Sequence, residues 1–170
     1  MNTVIRCGTV SGKSTEDIFP EEKLKRLAEV FSAYLTAERL LPEAVSDCEV
    51  SLVFAEKDEI AGLNFEYRDT EGPTDVLSFP MWEDEEGRFS PPEDWESLML
   101  GDVIVCPEVA GANAEENGSS AEKEIALLIC HGFLHLLGFD HAEDEERDVM
   151  WKAQTLLLEN FMKKEEPRDD

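Results

Sequence analysis

Apolar residues recur along this chain in two periods, one of about two residues and one of three to four. Every second residue from Cys48 to Phe54 is apolar, which predicts a half-buried strand. Between Leu24 and Leu35 the apolar positions step by three and four residues, which predicts an amphipathic helix with Pro20 suited to its first turn. Further short strands are predicted at residues 3–7, 75–79 and 100–106.

Capping and turn residues delimit the remaining predicted elements. Asp58 is a candidate cap for a short helix that carries Ile60, Leu63 and Tyr67. Ser119 and Glu122 have the spacing of a capping box, and the helix that they open runs through His135 and stops at Gly138. A last helix is predicted from about Glu143 to Met162, and residues 82–96 form an exposed acidic loop that joins a hairpin-like strand pair.

These elements predict an α+β fold. We expect a single domain over residues 1–162, with a small mixed four-stranded sheet packed with about five helices. We expect residues 163–170 to form a disordered tail. The chain has 170 residues, of which 42% are apolar, and that is enough for one hydrophobic core.

Composition narrows the cellular setting. No window approaches a membrane span, and the N-terminus lacks the basic and apolar regions of a signal peptide, so we expect a cytoplasmic protein without a membrane partner. The four cysteines have no C-x-x-C spacing and are expected to be reduced. The formal net charge is −25, which by itself argues against nucleic-acid binding. RNA binding would therefore need a local basic patch, and the candidates are Lys23, Lys25 and Arg26 on the first helix with Arg39 and Arg68. The alternative for the cluster on the first helix is an ordinary solvated face.

All three histidines of the chain lie in the segment CHGFLHLLGFDH, residues 130–141. His131 and His135 are four residues apart on the predicted helix, so their rings project from one face. Gly138 lets the chain turn, and His141 can then return to the same point. Three imidazoles leave one tetrahedral position open, which is typical of a catalytic zinc site. The alternative is that the three are unrelated core or surface histidines that bind no metal.

The spacing equals that of the metzincin peptidase motif H-E-x-x-H-x-x-G-x-x-H, with one change. The glutamate of that motif is the general base, and here Gly132 takes its place. A metal-dependent hydrolase acting on something other than peptides fits the sequence better.

Three blocks of the sequence resemble the bacterial YbeY family of rRNA maturation factors. Residues 131–141, HGFLHLLGFDH, resemble its signature H-G-x-L-H-L-x-G-[YF]-D-H. NFEYR at residues 64–68 with PTDVLSFP at residues 73–80 resembles a second block. LGDVIVC at residues 100–106 resembles a third, L-G-D-[IV]-x-I, with Val105 in place of the final isoleucine.

The resemblance implies a single-strand-specific endoribonuclease that acts in rRNA maturation, including processing of the 16S 3′ end, and in ribosome quality control. It implies one zinc ion held by His131, His135 and His141, although other divalent metals are not excluded, and it makes Arg68 the functional arginine. The implied partners are single-stranded RNA, especially rRNA, the small ribosomal subunit and assembly factors, and DNA is not expected. A zinc-stabilised assembly scaffold and a metal-dependent hydrolase of another substrate remain alternatives.

Each further candidate residue has two interpretations. Arg68 either holds a phosphate with its planar fork or pairs with Asp69 or Glu71. Asp140 either orients a ligand ring or makes an Asx-type turn bond. Asp102 either faces the cleft or a partner protein, or is buried and bonded to backbone N–H groups.

Overall fold

A four-stranded mixed sheet organises the chain, and the computed structural model describes residues 1–12 and 14–165 of it. The strands are β1 (Asn2–Thr9), β2 (Asp47–Phe54), β3 (Val76–Pro80) and β4 (Ser97–Val105). Their order in the sheet is β1-β2-β4-β3. Strands β1, β2 and β4 run parallel, while β3 is an edge strand antiparallel to β4. This confirms the predicted mixed sheet and hairpin-like pair.

Five helices pack with this sheet. They are α1 (Glu21–Ala37), α2 (Lys57–Arg68), α3 (Pro107–Asn117), α4 (Ala121–Leu136) and α5 (Asp144–Glu165). The connection from β1 through α1 to β2 is a parallel crossover, so it requires a helix between the strands. None of the described helices combines the length and apolarity needed to cross a membrane.

Helix α4 is the central helix of the main core. Ten of its sixteen residues are buried, including Ile125, Ile129 and Phe133, so it is apolar on more than one face. The Phe133 ring stacks on Phe31 of α1 at a centroid distance of 3.9 Å. Helix α5 adds Leu157 and Phe161 to the same core. Because α4 is enclosed in this way, polar side chains on it are placed with little freedom.

The opposite face of the sheet has a smaller core. Ile60 of α2 packs there with Leu77 of β3 and Ile104 of β4. Tyr67, near the end of α2, meets the Phe79 ring of β3 edge-on at 5.2 Å. The end of α2 therefore lies against the β3 edge of the sheet.

Two predicted caps are wrong. Helix α2 is capped by Glu56, whose backbone N–H donates to the Glu59 side chain at 2.8 Å, and Asp58 lies inside the first turn. Helix α4 is capped by Ser120, whose hydroxyl accepts from the backbone of Lys123 at 3.2 Å. Because α4 begins at Ala121, Ser119 lies one residue before the cap, and its N–H bonds the carbonyl of Ala114 at the end of α3.

Two further differences concern whole segments. Helix α3 was not predicted, because its buried positions are only the small residues Ala110 and Ala114 and give a weak periodic signal. The predicted tail begins too early, since α5 continues through Glu165. Residues 166–170 of that tail lie outside the described residues. All four cysteines are free, and three of them are buried, whereas Cys7 is only partly buried.

Candidate metal centre

The first two histidines project together from the last two turns of α4. The side chains of His131 and His135 are half-buried, and their ring centroids are 4.6 Å apart. Their Nε2 atoms face each other at 3.0 Å. Two ring nitrogens this close repel through their lone pairs unless a proton or a cation lies between them. The helix thus places two nitrogen atoms where both could bind the same ion.

The turn after α4 brings the third histidine, His141, back to the other two. Gly138 has φ +90°, a left-handed conformation that favours glycine, and its N–H bonds the carbonyl of His135 at 3.1 Å. A side chain at Gly138 would also meet the backbone of Phe89 at 3.0 Å. The chain then brings the His141 ring to centroid distances of 5.7 and 5.1 Å from those of His131 and His135.

The donor set fits a divalent metal ion. One ligand atom from each histidine lies within 4.8 Å of the other two, and ligands of tetrahedral zinc lie about 3.3 Å apart. Burial lowers the pKa of His135 to about 4, with further lowering by the nearby His131 and His141. Burial also lowers the pKa of His131. Both rings are therefore neutral near pH 7, which is the form that binds metals.

The second ring nitrogen of His131, Nδ1, is hydrogen-bonded to a side chain of another helix, α5. This Nδ1 lies 2.8 Å from Oε1 of Gln154, a residue of α5 that is 6% exposed. The ring of His135 has a hydrogen bond to the backbone of Phe139. Sequence reasoning missed Gln154 because it lies outside the histidine motif, and only the folded α4–α5 pair brings it to His131.

Arg68 faces the same cleft as the histidines. It is the last residue of α2, and it lines an open cleft of about 360 Å³ with His135 and His141. The side chain is exposed, and among the described residues no carboxylate forms an ion pair with it. The alternative pairing with Asp69 or Glu71 is thus absent from this part of the chain.

Part of the acidic 82–96 loop also lines this cleft, which the sequence did not indicate. Glu83, Glu86 and Gly87 contribute to its wall, and Phe89 packs against the turn at Gly138. The loop therefore forms one side of the site and supports the turn that carries His141.

Gly132 points toward the sheet. A Cβ atom there would lie 2.5 Å from Cγ1 of Val103 and 3.1 Å from Oγ of Ser78. No side chain fits at this position, and one placed there would face β3 and β4 instead of the histidines. The glutamate base of the peptidase motif is thus excluded by packing as well as by sequence.

The two aspartates of the motif blocks have different surroundings. The Asp140 carboxylate accepts a hydrogen bond from the backbone N–H of His141 at 2.7 Å, one residue short of the N–H that an Asx-type turn uses. Its charge also acts on His135. Asp102 precedes Val103 on β4, so it projects to the face of the sheet away from α4. The structure does not bring Asp102 to the histidines.

The predicted basic patch is not assembled at this cleft. Lys23 pairs with Glu122, and Lys25 lies 3.8 Å from Glu21. The Arg26 guanidinium lies over the Phe161 ring at 4.9 Å. Of the five predicted members, only Arg68 lines the cleft.

Comparisons with known proteins identify relatives of this chain. The family described as Endoribonuclease YbeY matches residues 10–162. The Endoribonuclease YbeY of Lachnoclostridium phytofermentans is 38% identical over 164 residues, which cover 88% of this chain and 94% of the relative. That of Thermobifida fusca is 44% identical over 138 residues, covering 81% of this chain and 83% of the relative.

Two further matches extend the comparison. The Endoribonuclease YbeY of Nocardia farcinica is 50% identical over 114 residues, which cover 66% of this chain but 61% of the relative, less than two thirds of its length. The solution structure of a Thermotoga maritima protein superposes with a TM-score of 0.60 at 29% identity, covering 95% of this chain and 91% of the other. The matched range contains all three histidines and Arg68, and the chain belongs to the Endoribonuclease YbeY family.

Proposed function

We propose that the protein is a zinc-dependent, single-strand-specific endoribonuclease that acts in rRNA maturation, including 16S 3′-end processing, and in ribosome quality control. Family membership supports the RNA-cleaving activity. One structural observation carries the assignment of the site: Arg68 lines the same cleft as His135 and His141, two members of the histidine cluster.

The chemistry of phosphodiester cleavage matches these groups. Negative charge accumulates on the non-bridging phosphate oxygens during the reaction. A zinc ion held by His131, His135 and His141 would supply a Lewis acid and an acidified water. The Arg68 fork can hold two phosphate oxygens at once, which fixes the scissile phosphate beside the histidines.

The shape of the site favours an unpaired strand. The cleft of about 360 Å³ lies at the β3 edge of the sheet, between Arg68, the His141 turn and the acidic loop. A cleft of this size accommodates a nucleotide-sized group and not a whole duplex. Glu83, Glu86 and Asp140 in its wall disfavour further phosphates.

The acidic wall of the cleft means that partners must bring the protein to its RNA. A cleft with one arginine and three carboxylates gives little affinity for naked RNA. We therefore assign the localisation of the enzyme on its substrate to the small ribosomal subunit and assembly factors in the cytoplasm.

The proposal is tested with a single-stranded RNA, a duplex RNA and a peptide, using the wild-type protein and His135→Ala. The wild type should bind about one zinc ion and cleave only the single strand. His135→Ala should lose zinc and cleavage together, because two imidazoles hold the ion poorly. Cleavage that persists without metal would contradict the proposal, and peptide hydrolysis would assign the cluster to another hydrolase.

A further inference from the structure

We infer that Gln154 is a positioning residue for the metal centre, which fixes the tautomer and the ring orientation of His131. The inference rests on the proposed metal-binding function and goes beyond it to a residue on another helix. Gln154 lies 23 positions after His131, on α5, and its Oε1 is 2.8 Å from the Nδ1 of His131. Nothing in the histidine motif requires a polar residue at that position.

The hydrogen bond has only one direction. An amide oxygen accepts hydrogen bonds and cannot donate one, so the Nδ1 of His131 must carry the proton. A neutral imidazole has a single N–H, which leaves the Nε2 of His131 with a free lone pair. That Nε2 is the atom that faces His135 at 3.0 Å. The contact with Gln154 therefore selects the tautomer that can bind an ion between the two rings.

The position of the amide is fixed by burial. Gln154 follows the buried Ala153 and precedes the buried Leu157, so core packing anchors this part of α5 on both sides. The side chain is itself 6% exposed, and water has little access to replace it as the acceptor. A buried acceptor held by packing gives His131 one ring orientation instead of several.

The other two histidines are supported differently. The ring of His135 is bonded to the backbone of Phe139, which no side-chain substitution can remove. For His141 the described hydrogen bond involves the backbone and not the ring, since its backbone N–H donates to the Asp140 carboxylate. Gln154 is thus the described side chain whose exchange tests ring orientation without removing a ligand.

The test uses two readouts on variants of the full chain. Gln154→Met keeps the length of the side chain but lacks the acceptor, whereas Gln154→Glu keeps an acceptor oxygen. In the metal-free proteins, ¹⁵N–¹H correlation spectra of the histidine rings report which nitrogen of His131 carries the proton. Zinc affinity is measured separately by competition with a chelator. Thr155→Val, an exposed neighbour on α5, is the matched control.

We expect the wild type, Gln154→Glu and Thr155→Val to have the Nδ1–H form of His131. Gln154→Met should populate the Nε2–H form and bind zinc about 10-fold to 100-fold more weakly, the usual effect of removing a partner behind a ligand. Both substitutions change the packing around residue 154, but only Gln154→Met removes the acceptor. Tight zinc binding by Gln154→Glu would therefore show that the loss in Gln154→Met comes from the orientation of the His131 ring.

Two results would overturn the inference. One is a wild-type spectrum in which the proton of His131 is on Nε2, a measurement that needs no variant to fold. The other is a folded Gln154→Met protein with unchanged zinc affinity and an unchanged tautomer. If the wild type itself binds no zinc, the proposed function fails, while the spectra still decide whether Gln154 fixes the ring.

Discussion

Arg68 is the single basic side chain among the described residues that line the histidine cleft. Its backbone lies in the last turn of α2, and the next residue, Asp69, adopts a left-handed conformation with φ 53° that ends the helix. The guanidinium thus sits at a fixed helix end against the β3 edge while remaining exposed. This placement gives a positively charged fork that is available to a phosphate.

Replacement of Arg68 by alanine should reduce the kcat for single-stranded RNA by about 10²-fold to 10³-fold, the cost of removing one donor to a developing oxyanion. Zinc content should not change, because Arg68 is not a ligand. Arg68→Lys should give an intermediate rate, since it keeps the charge but loses the fork. Cleavage rates and metal analysis on the same samples provide the measurement.

Arg6→Ala is the matched control for this experiment. Arg6 lies on β1, at the opposite edge of the sheet from β3, and it pairs with Glu49. It should cleave RNA at the wild-type rate. A wild-type rate in zinc-loaded Arg68→Ala would show that the arginine has no part in the reaction.

At the scale of the secondary-structure elements, the site depends on how closely α4 approaches the sheet. Gly132 lies against Val103 of β4 and Ser78 of β3, and the Ser78 hydroxyl donates to the Gly132 carbonyl at 3.3 Å. Glycine is normally unfavourable inside a helix, by about 1 kcal/mol relative to alanine. Here the close approach of three elements requires it, which accounts for a glycine inside the helix that carries His131 and His135.

Gly132→Ala should therefore destabilise the protein by about 1–3 kcal/mol, the usual cost of overpacking, despite the better helix propensity of alanine. Gly62→Ala is the matched control in α2, where an added Cβ meets nothing within 4 Å. It should stabilise the protein by up to about 1 kcal/mol. Urea unfolding of both variants measures the difference, and the two free energies of unfolding should change in opposite directions.

A second substitution tests the cause of that destabilisation. Val103→Ala removes the methyl groups that an added Cβ at Gly132 would meet first. In the Gly132→Ala background it should cost less stability than it does alone, because the two changes share one contact. Additive effects of the two substitutions would mean that steric overlap with Val103 is not the reason for the glycine.

The elements also show what the sequence can predict. Strand β2 and helix α1 follow from their apolar periods because each buries one face against the main core. The three histidines could be grouped because one helix turn and one glycine bring them together locally. Gln154 and Glu83 could not be assigned to the site from the sequence, since they reach it from α5 and from the acidic loop. Such long-range packing leaves no local signal.

At the scale of the whole molecule, the net charge of −25 opposes the approach of RNA. The cleft does not reverse this field. Arg68 lines the cleft together with Glu83, Glu86 and Asp140, which leaves an excess of two negative charges that one divalent ion would cancel. The cations of α1 lie elsewhere, and Lys23 and Lys25 are already close to acids. Binding of RNA by the isolated protein should thus involve few phosphates.

A salt titration measures that number directly. For a single strand, the logarithm of the binding constant falls with the logarithm of the salt concentration at a slope of about −0.7 for each phosphate contacted. With the metal-free protein, which should leave the strand intact, we expect a dissociation constant of about 10⁻⁴–10⁻⁵ M and a slope no steeper than about −1.4. Arg68→Ala should flatten the slope by about 0.7, whereas Lys25→Ala should leave it unchanged. A slope of about −4 or steeper would reveal six or more contacts. The protein would then hold RNA through a surface other than this cleft, and recruitment by the ribosomal subunit would not be needed.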